Sequence, residues 1–304
     1  MTERNWALAR KQPVLAERAR IIQTIRAFFI GEGFLEVETP HRIPANAPEL
    51  HIDAIESEGW ALQTSPELAM KRLLAAGYPD LFQLCKVWRQ GERGQRHLPE
   101  FTLLEWYRTR ADYRVLMNDC IDLLHTLCPS KNLNWQGQKI DLNAPWELLT
   151  VAEAFKRYTQ FSVNEALTQG CFEELLTARI EPHLGISRPT FLIDYPLELA
   201  ALARSKPGNP QVAERFELYL CGLELANAFS ELTDPAEQRA RFEDDEASRR
   251  QAGKHPWPLP EPFLTELMTM PQSAGIALGI DRLIMLLTDQ AHIDDVVALS
   301  PEHL

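Results

Sequence analysis

The chain has 304 residues, 45% apolar and 24% charged, a composition that builds a globular core and excludes disorder. Its net charge of −12 excludes a large surface for tracking nucleic-acid phosphates, which needs an excess of Lys and Arg. No apolar run reaches the roughly 20 residues that span a bilayer, residues 1–13 lack the apolar centre of a signal peptide, and the five scattered cysteines show no CxxC pairing, so the chain reads as cytoplasmic, without a disulfide framework or structural zinc.

Residues 14–32 carry Ile21, Ile22, Ile25, Phe28 and Phe29 at helical spacing and predict an amphipathic helix that Gly33 ends. Residues 34–39 alternate like a strand that stops at Pro40. Thr64-Ser-Pro-Glu67 marks a helix start leading into 68–76. Alone, it reads best as a capping box of Thr64 and Glu67. Strands at 81–88 and 101–107 flank a charged loop, a helix takes 112–128, and a short hairpin followed by helices fills 130–188. Strands follow at 190–195 and 215–231. A very polar helix runs from Pro235 to about residue 252, and a glycine-spaced strand at 275–280 feeds a final helix. Strands separated by varied loops and helices, without regular βαβ alternation, predict an α+β fold: an antiparallel β-sheet flanked by helices.

The loop from Arg89 to His97 concentrates Arg89, Arg93, Arg96 and His97, with Lys86 just before it, in an otherwise acidic protein. Such a cluster suits a polyphosphate, because guanidinium offers phosphate oxygens a planar fork of donors. A solvated hairpin tip accounts for the loop equally well when it stands alone. In the next strand, period-two geometry places Phe101, Leu103, Glu105 and Tyr107 on one face and Thr102, Leu104 and Trp106 on the other. Asn227, Phe229 and Glu231 share another strand face. A turn or bulge at Gly222 brings Glu217 and Glu224 to one side, where two carboxylates suit Mg²⁺. Alone, these acids read as solvent-facing. Gly275, Ala277 and Gly279 leave a strand face almost without side chains, the mark of something close to the backbone. Arg282 then falls at a helix N-terminus, where the dipole disfavours a cation and a bound phosphate explains it. A packing glycine pair and a surface arginine are the plainer account.

In order and content together, these stretches resemble the catalytic domain of class II aminoacyl-tRNA synthetases, specifically the lysine branch. The patterns HxPEFxxLExY, from His97 to Tyr107, and ELANxFxEL, from Glu224 to Leu232, belong to that branch. The resemblance runs from about residue 14 to 300. Helix 14–32 and the strand before Pro40 resemble motif 1, a dimer-interface element; Arg89 to Tyr107 resembles motif 2; Gly275 to Arg282 resembles motif 3.

The resemblance implies ATP and Mg²⁺, and a role for each position. Arg89 contacts the α-phosphate and the substrate carboxylate, His97 lies near the outer phosphates, and Phe101 and Arg282 sandwich the adenine. Gln90, Gly91, Leu98, Leu225 and Gly279 complete the ATP site, and Glu217 and Glu224 carry Mg²⁺. Glu67 and Glu105 face the amino group nearer the carboxylate, with Ser65 and Pro66 in the same binding stretch. Tyr107 and Glu231 hold the distal ammonium, and Asn227, Phe229 and Ala277 line the pocket. Gly91 stands where motif 2 usually has Glu, with Glu92 following, and Leu98 stands in place of the usual Asn. Backbone is therefore expected to meet the adenine edge at these points.

Lysyl-tRNA synthetases of this class carry an anticodon-binding domain before motif 1, for which 304 residues leave no room. The expectation is one catalytic domain over 1–304, with little or no tRNA binding. Chains of this length resemble the elongation factor P–(R)-β-lysine ligases, which adenylate (R)-β-lysine and transfer it to a lysine side chain of elongation factor P. Ala277 agrees, since lysyl-tRNA synthetases have Gly at the matching place. The resemblance implies that activity here, in a homodimer. A tRNA-charging enzyme and a non-catalytic regulatory paralogue are the alternatives. Retention of Arg89, His97, Phe101, Glu224 and Arg282 disfavours the second.

Overall fold

Two long hairpins and the glycine-spaced strand build the middle of the protein, whose computed structural model describes residues 6–303, with side chains from residue 8. The polar stretch at 1–13 therefore lies outside the described residues as far as residue 5. The strands of the main sheet are β1 (Leu35–Glu36), β2 (Leu81–Trp88), β3 (Glu100–Thr109), β4 (Glu147–Thr150), β5 (Thr190–Pro196), β6 (Ser205–Lys206), β7 (Asn209–Leu220), β8 (Leu223–Ser230) and β9 (Ser273–Gly279). Their spatial order is β1-β2-β3-β9-β8-β7-β5-β4, with β6 on β7. The central pairs are antiparallel, as expected, but the edge pairs β1–β2 and β5–β4 are parallel. Side-chain alternation is the same in either direction, so the local pattern carried no sign of this.

Residues 215–231 form two strands rather than one. Cys221 and Gly222 sit at φ +54° and +66° and turn β7 tightly into β8. Glycine is needed twice over at 222, because a Cβ there would come within 3.2 Å of the Glu181 carbonyl oxygen.

The first helix, α1 (Trp6–Gly31), begins well before residue 14 and carries Pro13 inside it. Ile21, Ile25 and Phe29 are buried along one side, and the Phe29 ring meets Phe34, Phe82 and Trp106 at about 5 Å. Gly33, at φ +83°, ends the helix, and Phe34 N–H donates back to the Phe29 carbonyl. The strand expected at 34–39 shortens to the two residues of β1.

Helix α2 (Glu67–Ala75) starts without a capping box. Thr64 turns instead to Asn46, donating from its N–H at 3.0 Å, and Ser65 Oγ accepts the Glu67 N–H. The Glu67 carboxylate is thereby left free to point elsewhere. Helices α3 (Tyr113–Leu127) and α4 (Pro235–Gln251) are capped by Asp112 and Asp234, and α5 (Ile280–Leu287) follows β9 directly. The stretch 130–188 holds a hairpin (Asn132–Trp135, Gln138–Asp141), strand β4 and short helices.

Alternation in β3 is realised. Leu104 and Trp106 join the core under α1 and α3, whereas Glu105 and Tyr107 lie on the opposite face. Asp281 ties that core to both neighbours: it accepts the Thr102 N–H at 2.7 Å and pairs with Arg18 of α1 at 2.6 Å. No helix among the described residues is long and apolar enough to cross a membrane.

Candidate active site

The register of the sheet sets expected site residues and their neighbours in two rows across four strands. Glu105, Ala277, Asn227 and Glu217 stand opposite one another in turn, and beside them run Tyr107, Gly275, Phe229 and Arg215. Chain-distant residues become neighbours because successive antiparallel strands present the same face.

At one end lies a closed pocket of carboxylates. Glu105 and Glu231 are each 1% exposed, and Lys71 of α2 is equally buried. The Lys71 ammonium bridges Glu67, at 2.5 Å, and Glu231, and stands 5.1 Å from the Phe229 ring centre. Glu105 accepts from Ser65 Oγ at 2.5 Å and from the Tyr107 hydroxyl at 3.0 Å. Burial pushes the carboxyl of Glu231 up to about 8 against the attraction of Lys71. Burial, with repulsion from Glu67, pushes Glu105 up to about 8 as well. Fully ionised, the pocket would hold more negative charge than its own groups neutralise. Glu231 Oε1 is buried without a hydrogen-bond partner, an arrangement that fits an incoming ammonium.

The bare face of β9 divides the site in two. A Cβ at Gly275 would lie 2.2 Å from the Tyr107 ring and 2.4 Å from Glu231 Oε1, so the closely approaching groups there are the pocket's own. At Gly279 the nearest atoms would be 3.9 Å away, in Arg282 and Leu225. That open face borders a cavity of about 580 Å³. Gly275→Ala is therefore expected to weaken basic amino-acid binding at least tenfold while leaving ATP affinity unchanged. Gly279→Ala is expected to leave folding intact and weaken ATP binding. Calorimetric titration with each ligand, beside thermal melts, checks both.

The cavity is lined by Arg89, Glu92, His97, Leu98, Phe101, Glu181, Glu217, Glu224, Leu225, Gly279 and Arg282, among others. Arg282 donates to the Glu224 carbonyl at 2.9 Å and to the Arg96 carbonyl at 3.2 Å, and meets His97 Nε2 at 2.6 Å. Burial, and then the Arg282 charge, lowers the His97 pKa, so neutral imidazole accepts from the guanidinium. The Arg89 guanidinium lies 5.2 Å from the Phe101 ring centre, with Glu92 at 3.8 Å, and its buried Nε has no hydrogen-bond partner. An unpartnered guanidinium N–H in a cavity with further arginines fits phosphate oxygens.

Gln90 and Gly91 stay outside the cavity lining. The Gln90 N–H donates to the Asp53 carbonyl at 2.7 Å, and Gly91 takes φ +78° in the turn. Ser65, Pro66 and Glu67 line a small adjoining recess, and Ala277 is half-buried between Glu105 and Asn227.

The carboxylates also fit a hard divalent cation, although Glu217 is heavily engaged. Its Oε1 accepts from Arg215 at 2.7 Å, and its Oε2 from Tyr195 at 2.5 Å and Tyr219 at 2.6 Å. Glu224 meets Arg282 at 3.4 Å. Burial and the repulsion of Glu224 raise the Glu217 pKa, and burial with Glu224 and Glu217 pushes Glu181 up to about 7. Among the described residues no three His, Cys, Asp or Glu side chains form a metal cage. Mg²⁺ takes one or two carboxylates and completes its shell with water and phosphate.

Lys71, Arg215, Glu181 and Asp281 escaped the sequence reading. Lys71 carried a usable signal, being four residues after Glu67 on one helix face. Arg215 carried another, sharing the alternation of Glu217. Glu181 carried none, since it lies in the mixed stretch before β5.

The chain matches the family described as tRNA synthetases class II (D, K and N) over residues 5–302. It is 40% identical over 315 residues to the elongation factor P--(R)-beta-lysine ligase of Salmonella arizonae, covering 97% of both chains. It is 40% identical over 316 residues to the protein of that name from Edwardsiella ictaluri, again covering 97% of both.

Proposed function

The chain belongs to the class II tRNA synthetase family of the D, K and N type, and from that premise we propose that it is an ATP-dependent ligase. It adenylates (R)-β-lysine, or lysine, and transfers the aminoacyl group to a lysine side chain of elongation factor P. The observation that carries this reading is the juxtaposition of the buried Glu105 and Glu231 and the half-buried Glu67 with a cavity lined by Arg89 and Arg282.

The residues divide the work along the sheet. Glu231 and Tyr107 hold the distal ammonium, Glu67 and Glu105 the nearer one, and Asn227, Phe229 and Ala277 shape the pocket between. Arg89 turns the substrate carboxylate toward the α-phosphate. Phe101 and Arg282 hold the adenine, and His97 meets the outer phosphates. The carboxylate oxygen forms a bond to the α-phosphorus as the bond to pyrophosphate breaks, while Arg89 and Arg282 stabilise the developing charge. The acceptor's neutral lysine amine then attacks the acyl carbon. A C–N bond forms, AMP leaves, and the amine proton is released. Glu224, with Glu217, would hold Mg²⁺, which neutralises phosphate charge when bound.

In this reading the Ala277 methyl, beside Glu105 in the register, favours the β-isomer by crowding an α-ammonium. One methyl is worth about 1–3 kcal/mol of discrimination. The acidic net charge of −12 supports a protein acceptor over tRNA. The exposed Ile30 and Leu35, on α1 and β1, support a homodimer through that edge. The catalytic unit spans the whole chain.

Purified protein is expected to catalyse ATP–pyrophosphate exchange dependent on lysine or (R)-β-lysine, and to aminoacylate elongation factor P while leaving tRNA nearly uncharged. No exchange with any basic amino acid would overturn the reading, and efficient charging of tRNA would move the acceptor. Side-by-side transfer assays with both acceptors and both isomers decide.

A further inference from the structure

A lysine is costly to bury, and α2 buries one where its neighbours are Leu68, Met70 and Leu74. Lys71 is 1% exposed and reaches the same Glu231 carboxylate that the basic substrate is to use. An apolar side chain would fill the helix face as well. The position is therefore explained by its charge rather than by packing.

Three carboxylates converge there: Glu67 from α2, Glu105 from β3, and Glu231 just beyond β8. Glu105 has both oxygens held by Ser65 and Tyr107. Glu67 and Glu231 share Lys71, and Glu231 Oε1 stays unpartnered. Tyr107 is neutral, since burial and then Glu105 raise its hydroxyl pKa well above the ordinary value. Burial pushes the Glu49 carboxyl up to about 7, with Arg89 and Arg215 opposing the rise and Glu67 adding to it. With all three carboxylates ionised and Lys71 subtracted, two negative charges remain. A lysine-type substrate brings two ammonium groups to them, and its carboxylate goes to Arg89.

We propose that Lys71 is a specificity-determining residue: its ammonium cancels one of the pocket's three carboxylates, so that the remaining charge matches a substrate with two ammonium groups. The inference rests on the reading of the pocket as the site of a basic amino acid. Lys71 also keeps Glu231 ionisable. Burial opposes the charge of Lys71 itself, but Glu231 and Glu67 outweigh burial and raise its pKa, so it remains a cation throughout the neutral range. Without that cation, Glu231 would keep its proton to higher pH and meet the distal ammonium as a neutral acid.

The test is the pH dependence of lysine or (R)-β-lysine binding, measured by calorimetry without ATP. In the unaltered protein, affinity is expected to rise with pH through about 8, where Glu231 and Glu105 are half ionised, and to level above that. Lys71→Met is expected to bind at least tenfold more weakly at pH 7, with its levelling point displaced upward by at least one pH unit. Lys71→Arg is expected to keep the original profile. A purely structural role would weaken binding equally at every pH, and that result overturns the proposal. ATP affinity reports whether each variant is folded. Should Lys71→Met lose ATP as well, Lys71→Gln takes its place with the same expected displacement. A flat profile from pH 6 to 9 in the unaltered protein also overturns the proposal, with no variant needed. Lysine-dependent pyrophosphate exchange tests the underlying function separately: exchange with an unshifted variant profile sinks this inference alone.

Discussion

Replacing Glu231 with glutamine is expected to lower kcat/KM for the basic amino acid by about 30- to 3,000-fold, with the KM for ATP unchanged. Removing one member of a buried, hydrogen-bonded charge pair costs about 2–5 kcal/mol, and each 1.4 kcal/mol is about tenfold. Glu231 belongs at the upper part of that range. It is 1% exposed, its Oε1 has no hydrogen-bond partner, and it closes over the same Gly275 that Tyr107 covers. Glutamine keeps the shape and removes the charge, while Lys71 retains Glu67, so the pocket should stay folded. The specific readout is the ratio of lysine to norleucine, which lacks the distal ammonium. A site built for a polar group rejects the analogue lacking it strongly, and Glu231→Gln should collapse that ratio. Glu231→Ala is expected to abolish recognition altogether. Asp244→Asn and Ser248→Ala, exposed on α4, should stay within about 0.5 kcal/mol of the unaltered protein. A Glu231→Gln enzyme with normal kcat/KM would show that the ammonium binds elsewhere.

The sequence foretold which face of each strand would carry chemistry, and much less about what those side chains would touch. Alternation from Phe101 to Tyr107 separated Glu105 and Tyr107 from Trp106, and the folded protein keeps that separation because one face must cover α1 and α3. Glycine spacing at 275–279 foretold a close approach, but sequence does not say what approaches. At Gly275 it is Tyr107 and Glu231; at Gly279 it is an open cavity. The capping box at Thr64 failed because Asn46, eighteen residues away, competed for Thr64, and a tertiary partner has no local signature. Lys71 was hidden for a related reason. Its charge matters through Glu231, which lies far along the chain and reaches α2 only when β8 and β3 are joined through β9.

Replacing Arg89 with alanine is expected to lower the rate of lysine-dependent pyrophosphate exchange about 10³-fold, and to weaken lysine binding separately. Removing one preorganised donor to developing charge typically costs about 10²–10³ in rate, and an arginine on a transferring phosphoryl group about 10³–10⁵. Arg89 has the structural marks of such a donor. It lines the cavity and lies over Phe101, and its buried Nε stays unpartnered although Glu92 is only 3.8 Å from another nitrogen of the group. Arg89→Lys tests the geometry, since an ammonium keeps the charge and loses the fork; most of the rate should still be lost. The two roles of Arg89 separate with 1,5-diaminopentane, which has the two amines of lysine and no carboxylate. Arg89→Ala should bind the diamine as tightly as the unaltered protein does and bind lysine more weakly, because only lysine has a carboxylate for the guanidinium to hold. If the diamine weakens in the same proportion, Arg89 shapes the pocket through Phe101 and Glu92, and the carboxylate is oriented by another group.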